Sequence, residues 1–124
     1  MLTSADMDAT SPFACLLVGQ PTLKQRMKLG AFAALDQRFS LRCELTGMTP
    51  DETGSYIAHH TALAGRTDTL FSADAIALIH QTSRGLPRAV NNLAVQALLA
   101  AYAANTGIVD ESSARQAVKE TAHN

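Results

Sequence analysis

Residues 83–104 decide the fold of this chain, and they read Ser-Arg-Gly-Leu-Pro-Arg-Ala-Val-Asn-Asn-Leu-Ala-Val-Gln-Ala-Leu-Leu-Ala-Ala-Tyr-Ala-Ala. Gly85 is placed to end one helix and Pro87 to open the next, because proline suits a first helical turn, where its missing N–H group is not needed. The residues after Pro87 are apolar almost all round. Such a pattern predicts a helix buried at the centre of a helical bundle.

Three further helices are predicted around this central one, each from its N-terminal signal. Thr49 and Glu52 have the spacing of a capping box, with Pro50 at the first helical position. Ser72 is expected to cap the second helix. Asp110 is expected to cap the last one, with Val109 and Ala114 placed as a hydrophobic staple. The inward positions are expected to be Tyr56, Ile57, His60, Leu63 and Ala64, then Ala75, Ile76, Leu78 and Ile79, and finally Ala117 and Val118.

The residues ahead of Thr46 follow a different pattern. Residues 13–19, Phe-Ala-Cys-Leu-Leu-Val-Gly, form an unbroken apolar run that is typical of a strand buried on both faces. Residues 39–45 alternate apolar with polar, as an edge strand does. A single helix is predicted between them, from Gln20 to about Asp36. Cys15 and Cys43 lie in these two runs and are expected to be buried, reduced thiols.

The predicted fold class is therefore mostly α, with a partial α/β piece, strand–helix–strand, followed by a four-helix unit. The domain boundaries that this suggests are 1–46 and 47–124, with a polar loop or frayed end over 1–12. The strand–helix–strand piece is too small to form a sheet by itself, whereas residues 47–122 can close a core of their own.

Charge and composition exclude several classes of function. Ten basic and eleven acidic residues give a net charge of -1, so no broad surface for nucleic acid or anionic membrane is expected. No apolar run approaches the ~18 residues that a membrane-spanning helix needs. The start of the sequence does not have the pattern of a secretory signal. The two cysteines have no paired spacing and are interpreted as reduced thiols of a cytoplasmic protein.

The histidines do not predict a metal site. His59 and His60 are adjacent, so on a helix they point about 100° apart, and neither an HExxH pattern nor a cysteine pair accompanies them. His60 is better interpreted as a residue at the edge of the core.

Three residues are candidates for phosphate chemistry, and each has a structural alternative. Arg88 lies in a first helical turn, where a cation is unfavourable and an anion should offset it. That anion could be a bound phosphate or a neighbouring carboxylate. Arg38 follows a helix C-terminus, which a cation simply suits, but it could also reach a neighbouring subunit's nucleotide. Gln20 follows the first apolar run, where it could orient a water molecule or only form a turn.

Taken together, these segments resemble the C-terminal half of an AAA+ ATPase. The most similar group is the ExeA-like family (general secretion pathway protein A), with the related ATP-binding partners of transposases. The resemblance covers about residues 12–120. It rests on residues 16–23 (Leu-Leu-Val-Gly-Gln-Pro-Thr-Leu), 34–42 (Ala-Leu-Asp-Gln-Arg-Phe-Ser-Leu-Arg), 48–53, 70–75 and, most specifically, 83–93.

The resemblance implies that Gln20 is sensor 1, Arg38 an arginine finger acting on a neighbouring subunit, and Arg88 sensor 2 in a helical lid. It also implies ATP and Mg²⁺ as cofactors of the intact family, with other ATPase subunits and a transposase or secretion component as partners. No glycine in the sequence opens a GxxxxGK[ST] phosphate loop, and no apolar strand ends in a Mg²⁺-binding Asp. The chain is therefore expected neither to bind ATP tightly nor to hydrolyse it alone. It is interpreted either as a truncated ATPase, which the partial sheet favours, or as a free-standing lid-like module.

The resemblance has a further consequence for the first 46 residues. In the family, the strand that carries the phosphate loop lies between the two strands predicted for this segment. Without it, apolar surface and unpaired backbone should be exposed.

A non-enzymatic interaction module is the alternative. Residues 76–96 can be drawn as a helix–turn–helix around Gly85, which would suggest DNA binding. The second helix offers few polar side chains for that role, and the net charge offers no phosphate-neutralising surface. A protein-interaction role remains open as well.

Overall fold

The computed structural model describes residues 12–123, so the predicted loop over residues 1–11 lies outside the described residues. The chain forms two compact units, and the boundary between them falls between Glu44 and Leu45. Within the described range, all regular structure longer than a single β-bridge is helical. The prediction of a mostly α protein is confirmed at this level.

The first unit contains short helices only. They are α1 (Thr22–Met27), a 3₁₀ turn (Gly30–Phe32) and α2 (Ala33–Asp36). The prediction of one continuous helix from Gln20 to Asp36 is wrong. Leu29 has an extended backbone, and Gly30 has a φ of 29°. A right-handed helix cannot pass through these conformations, so the chain turns there and starts again.

The two strands predicted for this unit are absent from the structure. Residues 13–19 and 39–45 are irregular, because a strand persists only where a neighbouring strand pairs with its N–H and C=O groups. Their apolar side chains face solvent: Leu16 is 87% exposed and Leu41 is 85% exposed. Cys15 and Cys43 are exposed free thiols. The prediction that they are buried is wrong, since residues 12–123 form no sheet that could cover them.

The second unit contains the four predicted helices. They are α3 (Pro50–Leu63), α4 (Ala73–Ser83), α5 (Pro87–Ala103) and α6 (Glu111–Ala122). The capping box of α3 is confirmed, because Thr49 Oγ1 accepts a hydrogen bond from the Glu52 N–H and the Glu52 carboxylate accepts one from the Thr49 N–H. Ser72 and Asp110 also cap α4 and α6 as predicted.

All four helices contribute to one hydrophobic core. Val109 and Ala114, the predicted staple, are both fully buried. The buried core residues are Ile57, Phe71, Ala75, Ile79, Val90, Leu93, Ala97, Ala101, Val109, Ala114 and Ala117.

A short backbone link between the loops preceding α4 and α6 completes this core. Val109 N–H donates to the Leu70 carbonyl at 2.8 Å, and Ser72 N–H donates to the Val109 carbonyl at 2.9 Å. This isolated parallel bridge joins Phe71 to Val109. The sequence patterns do not predict it, because a two-residue pairing has no periodicity.

The prediction that α5 is buried all round is wrong. One side of α5 packs against α4 and α6 through Val90, Leu93, Ala97 and Ala101. The other side is open, and its row of apolar residues comprises Val95 (54% exposed), Leu99 (56%) and Tyr102 (87%). Both packing partners lie along the same side of α5, so they cover that side alone.

The predicted inward face of α3 is also partly wrong. Ile57 is buried as expected, but His60 and Ala64 are exposed, and Leu63 is 72% exposed. The helix contacts α4 through its first half, where Thr53 is fully buried. The last turn of α3 extends beyond that contact, and its apolar residues are exposed.

Candidate functional site

The site with the clearest geometry is the beginning of α5, where Arg88 occupies the first helical turn. Arg88 is exposed. The N-cap residue, Leu86, makes no side-chain capping hydrogen bond, and the first turn contains no acidic residue. The free N–H groups of a first turn carry partial positive charge. This end of α5 is therefore cationic both through its backbone and through Arg88.

The other three helices of the second unit begin differently. Thr49, Ser72 and Asp110 each cap their helix through a side-chain oxygen. Each of these helices also carries acidic residues in its first turn, which the helix dipole favours. The absence of both features from α5 leaves its N–H groups available to an external anion.

Arg88 makes no ion pair with a carboxylate of residues 12–123. The structural alternative for this residue is a surface pair with a nearby Asp or Glu. No such pair is present in the described part of the chain, so the positive charge of Arg88 remains available to solvent or to a ligand.

The turn between α4 and α5 sets the direction in which α5 starts. Ser83 is buried, and its Oγ accepts a hydrogen bond from the Gly85 N–H at 3.1 Å, while its carbonyl accepts one from the Leu86 N–H at 3.1 Å. Gly85 has a φ of 73°, a left-handed conformation that glycine adopts without steric penalty. The turn is thereby held by the Ser83 hydroxyl and by its own backbone.

A close backbone approach fixes this turn against the segment that leads into α3. Met48 N–H donates to the Gly85 carbonyl at 2.9 Å. A Cβ atom at Gly47 would lie 2.2 Å from the Arg84 carbonyl oxygen, and a Cβ atom at Gly85 would lie 2.1 Å from the Met48 carbonyl oxygen. Two glycines are therefore required for the start of α5 to sit against the start of α3.

Next to this turn, the surface forms an open depression of about 450 Å³. One turn further along α5, the Tyr56 hydroxyl of α3 donates a hydrogen bond to Asn91 Oδ1 at 3.0 Å. The Tyr56 ring also lies against His60, with ring centroids 4.4 Å apart. The Tyr56–Asn91 hydrogen bond joins α3 to the first turns of α5, and the ring contact with His60 lies within α3. The depression is lined by Leu86, Pro87, Arg88, Ala89 and Asn92.

Gln20 and Arg38, the other two predicted site residues, belong to the first unit. The Gln20 carbonyl accepts a hydrogen bond from the Leu23 N–H at 2.8 Å at the start of α1. Arg38 lies just after α2, and its N–H donates to the Leu35 carbonyl at 3.0 Å. Arg38 therefore follows a helix C-terminus, as the sequence predicts.

The strongest pKa shifts lie at structural ion pairs and caps. A two-pronged pair with Arg66 lowers the pKa of Asp68 to about 2, because both carboxylate oxygens accept hydrogen bonds from the guanidinium at 2.8 Å. The pKa of Asp110 is lowered by hydrogen bonds from the Ser113 backbone N–H and hydroxyl. Both shifts arise from local hydrogen bonds, in the loop at Asp68 and at the N-terminal cap of α6.

No cluster of three or more potential metal ligands occurs among the described His, Cys, Asp and Glu residues. No helix in residues 12–123 is both long enough and apolar enough to span a membrane. The helix–turn–helix alternative fits poorly, because Arg88 is the single basic residue of α5 and the apolar Val95 and Leu99 occupy much of its exposed side.

The chain is similar in sequence to "General secretion pathway protein A" of Aeromonas hydrophila. The two are 29% identical over 103 residues, which cover 83% of this chain and 19% of that protein. The chain thus spans about a fifth of the length of the curated relative that it matches. No protein-family model matches the chain, and no solved structure matches it.

The sequence pattern identifies Arg88 but not the residues that position it. Paired glycines separated by 38 positions give no local signal, although Gly47 and Gly85 both lie at predicted helix boundaries. The sequence pattern does not predict the Tyr56–Asn91 hydrogen bond either, because the helical spacing of α3 assigns Tyr56 to the core.

Proposed function

We propose that this chain provides the sensor and lid part of an AAA+ ATPase related to general secretion pathway protein A, and that Arg88 contacts the γ-phosphate of ATP in the assembled enzyme. One observation carries this proposal. An exposed guanidinium without a carboxylate partner in residues 12–123 opens a helix that has neither a side-chain cap nor a first-turn acid. Both the guanidinium and the free N–H groups favour a phosphate ligand.

Arg88 is suited to report on the state of the nucleotide. A guanidinium binds phosphate oxygens through paired N–H donors, so its interaction weakens when the γ-phosphate leaves. The glycine contact at Gly47 and Gly85 would transmit that change to α3, because the two backbones cannot separate without breaking the Met48–Gly85 hydrogen bond. The lid would then move as one body with the start of α5.

The remaining roles follow from the resemblance to the family and extend the same proposal. Gln20 would act as sensor 1, and Arg38 would stabilise charge on the phosphoryl group bound by a neighbouring subunit. ATP and Mg²⁺ would be held mainly by a phosphate loop, a motif that residues 1–124 do not contain. The partners would be further ATPase subunits and a transposase or secretion component, in the cytoplasm.

The proposal can be tested by a graft. The 103-residue matching segment of the Aeromonas hydrophila protein would be replaced by the corresponding residues of this chain, and ATP hydrolysis by the purified hybrid would be measured. Arg88→Ala is expected to lower kcat at least tenfold. Arg88→Lys should recover only part of it, because an ammonium group cannot make the paired contact.

The matched control is Lys119→Ala, which removes an exposed cation from α6. It should leave hydrolysis unchanged, and circular dichroism should show equal helix content in all variants. Hydrolysis by Arg88→Ala at the rate of the unmodified hybrid would exclude the proposed phosphate contact. Calorimetry on the isolated chain should detect no tight, Mg²⁺-dependent binding of ATP, and such binding would contradict the proposal that the nucleotide is held elsewhere.

A further inference from the structure

A second surface feature, on the α3–α4 pair, is unrelated to Arg88. It is an open groove of about 510 Å³ between the first half of α3 and the part of α4 from Ala73 to His80. The groove spans Pro50 to Ser55 on α3, which is about 8 Å at 1.5 Å per residue. It is lined by Pro50, Asp51, Gly54, Ser55, Ala73, Ile76, Ala77 and His80.

Gly54 indicates that this groove receives something from outside. A glycine in a helix interior is less stable than alanine by roughly 0.5–1 kcal/mol. The fold itself does not require it, because a Cβ atom at Gly54 would meet Ile76 Cγ2 at 3.7 Å, an ordinary van der Waals contact. A glycine that the internal packing does not need is typical of a position that another backbone approaches closely.

The walls of the groove are rigid. The fully buried Thr53 holds His80 through a 2.8 Å hydrogen bond between Thr53 Oγ1 and His80 Nδ1. The capping box at Thr49 fixes the first turn of α3. These hydrogen bonds hold residues on both sides of the groove, whose apolar lining includes Pro50, Ile76 and Ala77.

The carboxylates of α3 and α4 give the surface around the groove a negative charge. Helices α3 and α4 contain three carboxylates, Asp51, Glu52 and Asp74, and no lysine or arginine. Glu52 is used by the capping box, whereas Asp51 lines the groove and Asp74 directly follows the lining residue Ala73. Neither Asp51 nor Asp74 forms an ion pair with another residue in the range 12–123. An apolar groove with one free acid in its lining and a second next to a lining residue is complementary to an apolar surface flanked by cations.

We propose that this groove binds a basic amphipathic α-helix of a partner protein. A small residue of that helix would pack over Gly54, its apolar neighbours would cover Ile76 and Ala77, and flanking lysine or arginine side chains would reach Asp51 and Asp74. This recognition is of the helix-in-groove kind. It is independent of nucleotide binding, because neither Arg88 nor the depression beside it contributes to the groove.

The test uses the full chain and a fluorescein-labelled helical peptide of about 18 residues, long enough to form a stable helix. One face of the peptide carries alanine and leucine, and lysines flank that face. Binding would be followed by fluorescence anisotropy at two salt concentrations. The peptide should bind saturably and more weakly at high salt, whereas a peptide with glutamate in place of every lysine should bind at least tenfold more weakly.

Substitutions at Gly54 distinguish an effect on peptide binding from an effect on the stability of the fold. Gly54→Ala is expected to raise the thermal midpoint by about 2–8 °C while weakening peptide binding at least threefold. Gly54→Leu, whose side chain would occupy the groove, should weaken binding at least tenfold. Its matched control is Ala62→Leu, at an exposed position two turns further along α3, which should leave affinity unchanged.

Charge reversal provides a second, independent measurement. Asp51→Lys and Asp74→Lys should each reduce affinity, and Glu120→Lys on α6, which makes the same change of charge away from the groove, should not. Equal binding of the lysine and glutamate peptides, or unchanged affinity in Gly54→Leu, would overturn the proposal. Concentration-dependent self-association that Gly54→Leu abolishes would overturn it as well, because the occupant would then be a second copy of this chain.

Discussion

At the scale of single residues, the second unit depends on two glycines at one backbone crossing. Gly47 and Gly85 allow the segment before α3 to lie against the turn before α5 at distances that no Cβ atom would tolerate. The same crossing fixes where Arg88 starts its helix. The absence of a side chain at these two positions therefore controls the geometry of the candidate site.

Gly85→Ala is expected to destabilise the chain by about 1–3 kcal/mol, because an alanine would be held at a φ of 73° and its methyl group would collide with the Met48 carbonyl. Urea unfolding followed by circular dichroism measures the change. Gly107→Ala is the matched control, since a Cβ atom there meets nothing within 4 Å. Equal unfolding midpoints for the two variants would contradict the proposed crossing.

The carboxylates of Asp68 and Asp110 give the chain a predictable response to acid. Both have pKa values below the usual range, about 2 for Asp68. In the unfolded chain they return to about 3.9. Their contribution to stability is therefore complete above about pH 4 and disappears as the pH falls through the lower folded-state values.

Asp110→Asn is expected to reduce the loss of stability at low pH, because asparagine still caps a helix but does not titrate. The measurement is the urea midpoint at about pH 6 and at about pH 3, on either side of the unfolded-state pKa. The fall between these two values should be smaller for Asp110→Asn than for the original chain. A fall of the same size would show that Asp110 does not contribute to the acid dependence.

At the scale of secondary-structure elements, α5 combines two different surfaces. Its inner row packs against α4 and α6, while Val95, Leu99 and Tyr102 face solvent. An apolar composition on all sides therefore does not mean burial on all sides. How many neighbours a helix receives depends on the arrangement of the other helices.

Replacing leucines on the two sides of α5 should have unequal effects. Leu93→Ala removes a side chain that is 2% exposed and is expected to lower the free energy of unfolding by about 2–5 kcal/mol. Leu99→Ala, on the same helix at a 56% exposed position, should change it by less than about 0.5 kcal/mol. Chemical unfolding of both variants tests this difference, and similar losses would mean that the outer side of α5 is covered in solution.

At the scale of the whole molecule, the two units differ in how many apolar side chains they bury. The residues of the hydrophobic core cluster all belong to the second unit. In the first unit, Met27 is the buried apolar residue among those described, and Leu16, Val18 and Leu41 are at least 79% exposed. Most of the stabilising apolar burial is therefore concentrated beyond Glu44.

Amide hydrogen exchange should reflect this difference. We expect slow exchange in the interiors of α4, α5 and α6, and fast exchange throughout residues 12–44, because short helices without a core open readily. Mass spectrometry of peptides from the exchanged full chain provides the measurement. Equal protection in the two units would contradict the expectation that residues 47–122 fold independently.

What the sequence determined by itself was local. Capping at Thr49, Ser72 and Asp110, the four helices that follow, and the unusual position of Arg88 all depend on residues within one or two turns of each other. The exposed apolar segments of the first unit and the one-sided burial of α5 were decided by tertiary structure. A strand needs a partner and a helix face needs a neighbour, and whether these are present is a property of distant segments. The Gly47–Gly85 crossing belongs to the same class, because two chain segments must meet before the absence of a side chain has any effect.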